Sequence, residues 1–183
     1  MTILEIPLEI VKIKDPDGES RFKAIVSFGD AIAHPEQSQK LIQIQNYYTE
    51  WVSRRQKTLK DLRSSRKMMS DSHVQWKLAD EIYSFYKRIE KDGYAFANAS
   101  EALSRDLGVS KSRLNYLMKF RTYYPTIERV SKKINWSKYQ EILDIRNSKV
   151  REICERKILS GEIKTDSEIR SLKKKYREGK AIE

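Results

Sequence analysis

Two pairs of leucines on either side of one glycine constrain this chain more than any other feature. Leu103 and Leu107 are four residues apart and share one face of a helix. Leu114 and Leu117 are three apart and share a face of a second helix, able to pack back on the first pair. Between the pairs stands Gly108, where the first helix has to stop, because glycine enters the left-handed backbone region that a tight exit needs. Val109 is the expected buried residue of the turn. Ser110 is placed to cap the second helix by accepting a hydrogen bond from a free N–H of its first turn. Ser104 holds the position where the helices approach closely and a small side chain is required. The spacing fits a helix-turn-helix core.

The second helix leaves a polar side outside. Ser110, Lys111, Ser112, Asn115, Tyr116 and Lys119 fall opposite Leu114 and Leu117. Lysine and serine near a helix start suit phosphate contacts. An asparagine amide matches the donor and acceptor of an adenine edge in the major groove, the expectation for Asn115. Lys111, Ser112, Asn115, Tyr116 and Lys119 are therefore the candidate groove contacts, with Ser110 at the cap. Arg105, Arg113, Lys132 and Lys133 are candidates for phosphates. The competing reading of the same pattern is a helical hairpin inside an all-α domain with a solvated basic face.

Charge bears on that choice. The formal net charge is +11, yet residues 1–40 carry five Lys or Arg against seven Asp or Glu, so the surplus belongs to the rest. Between Arg54 and Lys67 seven basic residues accompany one acid, Asp61. A second basic stretch runs from Arg105 to Lys133, and a third is the tail with Lys173, Lys174, Lys175, Arg177 and Lys180. Clusters of one sign favour a polyanion through counterion release. A surface rich in ion pairs would explain the 34% charged content but not the surplus of one sign. No apolar run approaches the ~20 residues needed to span a bilayer, and no leader pattern is read, so a cytoplasmic, nucleoid-associated protein without a membrane partner is expected. Cys154 is the single cysteine and reads as a small buried hydrophobe.

The expected architecture is mainly α, with a β-hairpin arm over 1–34, a long helical segment over 35–93 and a helix-turn-helix domain with C-terminal helices and a basic tail over 94–183. In the arm, alternation at Leu4, Ile6, Leu8 and Ile10 and again at Phe22, Val26 and Phe28 flanks the turn signal Asp15-Pro16-Asp17-Gly18-Glu19. From Pro35 the apolar steps lengthen to three and four, predicting one helix as far as Met69 with a break near Met69-Ser70-Asp71. Another helix starts near Ser72, with Gly93 as its terminator. Beyond Tyr124-Pro125 a short helix is predicted over Thr126–Lys133. Next come a helix capped by Asn135 or Ser137 that runs through Ile145, one reaching Ser160-Gly161, and a last one capped by Thr165 or Asp166.

Residues 98–172 resemble the DNA-binding region of ParB/KorB-type partition proteins. The matching pieces are LSRDLGVSKSRLNYLMKF, then YPTIERV, INWSKYQEILDI and REICERKILSGEIKTDSEIRSL. The element Trp136-Ser137-x-Tyr139 with Glu141 and Leu143 is also similar to the N-terminal domain of YhcG-type nuclease-associated proteins. The resemblance implies DNA binding through the helix-turn-helix. It does not extend to nucleotide binding, since no arginine-rich box of the partition type precedes Asn98, nor to a nuclease domain.

Catalytic signatures are sparse. His34 and His73 are isolated in sequence, where a metal site needs clustered ligands. Glu162-Ile163-Lys164 is a tripeptide of some metal-dependent nucleases, but it lacks an upstream strand aspartate. No phosphate-binding glycine loop and no nucleophile elbow occurs. The expectation is a non-enzymatic protein without cofactor or metal that binds double-stranded DNA as a homodimer, in a partition-type or transcription-regulatory role. The other classes open to such a chain are a protein-interaction adaptor and an RNA-binding accessory protein.

Overall fold

The computed structural model describes residues 4–6, 8–14, 20–26, 35–91, 94–96 and 99–177. These are mainly helical. In chain order they form strands β1 (Leu4–Ile6), β2 (Leu8–Lys14) and β3 (Ser20–Val26), and helices α1 (Pro35–Ser64), α2 (Arg66–Ser70) and α3 (Ser72–Lys91). Strand β4 (Tyr94–Phe96) precedes α4 (Ala99–Asp106), α5 (Lys111–Tyr123), α6 (Trp136–Leu143), α7 (Ser148–Leu159) and α8 (Asp166–Arg177). β2 and β3 pair antiparallel, Leu8 opposite Val26, while β1 pairs parallel with β4. The expected turn at 15–19, the terminator Gly93, His34 and Lys180 lie outside the described residues.

Two compact units share the chain. The first takes Met1–Ser64 and Tyr83–Leu114, the second Ser65–Ile82 and Asn115–Glu183, so α3 and α5 each give residues to both. In the first unit α1 buries one face, with Ile44, Tyr48, Trp51, Val52, Leu59 and Leu62 all under 9% exposed. Phe85 of α3 sits among its aromatic rings, 4.6 Å from Trp51 and 5.6 Å from Tyr47 between centroids. The second unit is centred on Phe120, whose ring lies 4.9 Å from Tyr139 and 5.2 Å from Trp136. Such close tilted pairs add about 0.5–1.5 kcal/mol each to the burial of the rings.

The helix boundaries follow their caps. The long helix predicted as far as Met69 ends sooner, at Ser64, because Ser65 turns extended and its hydroxyl accepts from the Met68 N–H at 3.3 Å. A serine side chain competes for backbone donors in this way and favours a helix start over a helix interior. The break expected near Asp71 is present: its carboxylate caps α3 by accepting from His73 and Val74 at 2.8 and 3.2 Å. The helix predicted over Thr126–Lys133 shrinks to a single 3-10 turn, Ile127–Arg129. Val130 is extended there, its carbonyl held by His73 Nε2 at 2.7 Å, while the Ser131 N–H donates to the Tyr139 hydroxyl at 2.8 Å. These tertiary partners remove the bonds a second turn would need. Asn135, not Ser137, caps α6, accepting from the Lys138 N–H at 3.0 Å, and α6 stops at Leu143 rather than Ile145. At α8, Thr165 and Glu168 form a reciprocal capping box.

Candidate nucleic-acid interface

α4 and α5 meet at a turn whose backbone hydrogen bonds are complete. The Val109 N–H donates to the Ser104 carbonyl at 2.9 Å and the Gly108 N–H to the Arg105 carbonyl at 3.1 Å. This pair of bonds closes a Schellman motif, which requires a left-handed residue at its centre, and Gly108 has φ 61°. Ser104 Oγ donates to the Val109 carbonyl at 2.6 Å, a role beyond the small size its position demanded. Ser110 Oγ accepts from the Arg113 N–H at 3.2 Å and caps α5. Leu103, Leu107, Val109, Leu114 and Leu117 are all buried.

Three side chains of α1 hold the end of α4. The Tyr48 hydroxyl donates to the Asp106 carboxylate at 2.6 Å, and Gln56 Nε2 donates to the Asp106 carbonyl. Arg63 donates to the carbonyls of Leu107 and Gly108. Burial, reinforced by the Asp106 charge, pushes the Tyr48 hydroxyl far above its ordinary range, so it remains a donor at any working pH. These residues lie 44 to 58 positions upstream of their partners, and no local pattern in the sequence marks them.

α5 carries the outward face. Its exposed residues are Lys111, Ser112, Asn115, Lys119 and Thr122. At 3.6 residues per turn these five fall within an arc of about 100°, a single stripe along the 13-residue helix. Every member is polar, two are cationic, and one is an amide. The chain matches no family model, no curated protein and no solved structure. The chemistry of the stripe thus rests on its own side chains: ammonium groups for anions, hydroxyls and an amide for hydrogen-bonding edges.

The other candidates sit differently. Tyr116 is half-buried, and its hydroxyl lies 3.2 and 3.3 Å from the two Asp144 carboxylate oxygens. Burial and the Asp144 charge together raise its pKa. Asp144 also pairs with Lys119 at 3.7 Å and with Lys173 at 3.6 Å, and Lys173 in turn pairs with Glu141 at 2.5 Å. Tyr116 therefore borders the stripe as an anchored residue, where the sequence placed it among the open contacts. Lys111 pairs with Glu101 at 3.2 Å across two exposed side chains, a contact worth about 0–1 kcal/mol. Arg113 is half-buried, and burial together with the nearby Arg63 charge lowers its pKa. Arg105 is exposed at the end of α4, and Lys132 and Lys133 are exposed in the loop before α6.

Other chemical groups are engaged in the fold. Cys154 is buried, and that burial pushes its thiol up to about 11, away from nucleophilic use. Glu162 is exposed, bonded to Ser160 and Lys157 at 2.8 and 3.2 Å, beside a buried Ile163. Among the described residues no group of three metal-binding side chains gathers, and no helix is long and apolar enough to cross a membrane.

Proposed function

We propose that the protein binds double-stranded DNA by laying α5 in the major groove, with α4 and the Gly108 turn as the first half of a helix-turn-helix. The observation that carries this reading is the all-polar stripe of Lys111, Ser112, Asn115, Lys119 and Thr122 on a helix whose remaining residues are buried or half-buried. An α-helix about 10–12 Å across suits a groove about 12 Å wide. Asn115 near the middle of the stripe is the adenine reader, and Lys111 and Lys119 bracket it as phosphate partners. Ser110 and Ser112 stand at the helix start, where hydroxyls reach the backbone, and Arg105, Arg113, Lys132 and Lys133 add positive charge.

In this reading the protein is not an enzyme. It acts as a homodimer in a partition-type or transcription-regulatory role on cytoplasmic, nucleoid-associated DNA, in keeping with the ParB/KorB-like pattern of residues 98–172. The N-terminal hairpin or α1 supplies the contact between subunits. Selection of bound fragments from a random duplex pool, with oligomeric state measured alongside, tests this directly. A two-fold symmetric enriched site from a dimer is the expected result. A protein that retains no duplex at low salt would refute it and leave the adaptor class.

A further inference from the structure

A groove of about 400 Å³ in the first unit brings Lys60 and Arg63 of α1 to the end of α4, where Arg105, Asp106 and Gly108 complete its lining. Asp106 is already bonded, its carboxylate accepting from the Tyr48 hydroxyl and its carbonyl from Gln56. Three cationic side chains and one buried carboxylate thus line the groove. Arg63 is engaged in the fold, its guanidinium donating to the carbonyls of Leu107 and Gly108. Lys60 and Arg105 are exposed at the sides.

The groove also ends a row of charge. Arg54, Lys57, Lys60 and Arg63 recur at three-residue steps and are all exposed. Each step advances about 4.5 Å along α1 and about 60° backwards around it, so the row winds across the solvent face of the helix. Glu50 pairs with Arg54 at 3.0 Å at the far end of this row, with both side chains mostly in solvent. A repeating row of cations that leads into an open groove matches a chain of phosphates better than a single ion, because each phosphate neutralised releases a counterion.

We infer that the Lys60–Arg63–Arg105 groove is a docking site for backbone phosphates of duplex DNA, with Lys60 and Arg105 as direct partners and Arg63 holding the turn beneath them. This rests on the duplex-DNA reading and deepens it: the groove supplies register and affinity, and the α5 stripe supplies sequence choice.

The test measures duplex affinity of the full chain from 50 to 200 mM salt, for the wild type and for Lys60→Gln combined with Arg105→Gln. Two lost phosphate contacts make the slope of log affinity against log salt shallower by about 1.8, so the advantage of the wild type shrinks roughly tenfold across that range. Preference between duplex sequences stays as it was, and Lys60→Arg with Arg105→Lys restores the slope. Both replaced residues are exposed, and an unchanged thermal midpoint shows the variant folded. An unchanged slope in a wild type that binds duplex DNA would overturn the groove alone. A loss of sequence preference at constant slope would overturn it too, by making these residues base readers. Absence of duplex binding by the wild type would overturn both readings together.

Discussion

Gly108→Ala isolates the strain on which the α4–α5 turn depends. At φ 61° an L-residue with a Cβ costs about 1–2 kcal/mol relative to glycine. Against this, alanine narrows the unfolded ensemble and returns about 0.4–1 kcal/mol. The nearest atoms to a Cβ at this position are the Arg63 guanidinium nitrogens at 3.6 Å, an ordinary contact that adds no clash. The net loss is therefore about 1 kcal/mol. Gly161 provides the matched comparison, with φ 84° and nothing within 4 Å of its Cβ position. Gly161→Ala has to cost about the same if backbone conformation alone sets the penalty. Gly108→Asn costs less than alanine, since asparagine enters the left-handed region more readily. Urea unfolding of all four proteins decides this. With a slope of about 2 kcal/mol/M, each alanine variant shifts the midpoint down by about 0.5 M. A Gly108→Ala protein as stable as wild type would refute the reasoning, as would a loss several times that of Gly161→Ala.

Three more outcomes follow from named contacts. Burial holds the Glu155 carboxyl above its ordinary value of 4.5, against the lowering pull of the Tyr124 hydroxyl and Arg151. The folded state keeps a proton the unfolded chain has released, so this group lowers stability as pH rises from about 4.5 through its raised folded value. Glu155→Gln removes that fall, and a stability difference between wild type and variant that stays constant with pH contradicts it. Trp76 Nε1 donates to the Tyr124 carbonyl at 2.7 Å between buried groups, so Trp76→Phe costs about 1–3 kcal/mol in chemical denaturation. Asp144→Asn frees Lys119 from a partner at 3.7 Å. Asp144 also holds the Tyr116 hydroxyl and the mostly buried Lys173, so stability falls by about 1–3 kcal/mol. Low-salt duplex affinity meanwhile rises severalfold in an anisotropy titration; an unchanged affinity would place Lys119 off the interface.

Local signals were legible, and distant ones were not. The leucines of the opening pattern, Val109 and Gly108 could be read because burial and a left-handed turn each leave a mark at fixed short spacing. Ser110 announced itself as a cap in the same way, while the α6 cap was narrowed only to Asn135 or Ser137. Ser65 escaped notice because no glycine or proline marks a break at Ser64-Ser65, and only the extended backbone reveals its capping role. The short turn at Ile127–Arg129 was hidden because His73 and Tyr139 decide it from 57 and 8 residues away. On α5, Lys111, Ser112, Asn115 and Lys119 are exposed as their spacing predicted, and Thr122 joins them unforeseen. The one displaced member, Tyr116, is set by Asp144, which lies 28 residues downstream. The support from Tyr48, Gln56 and Arg63 carries no periodic signature at all, since polar side chains on a solvated helix look alike until their partners are in place.

In the proposed function the α5 stripe chooses the DNA sequence. The most direct test is the ratio of affinities for a selected duplex and a scrambled one, measured at a single salt concentration for wild type and for Lys111→Ala with Asn115→Ala. Loss of an asparagine–adenine pair removes about 1–3 kcal/mol of discrimination, so the ratio should fall roughly 5- to 150-fold while binding to the scrambled duplex weakens only modestly. A double variant that keeps the wild-type ratio would show that the sequence is read elsewhere on the protein.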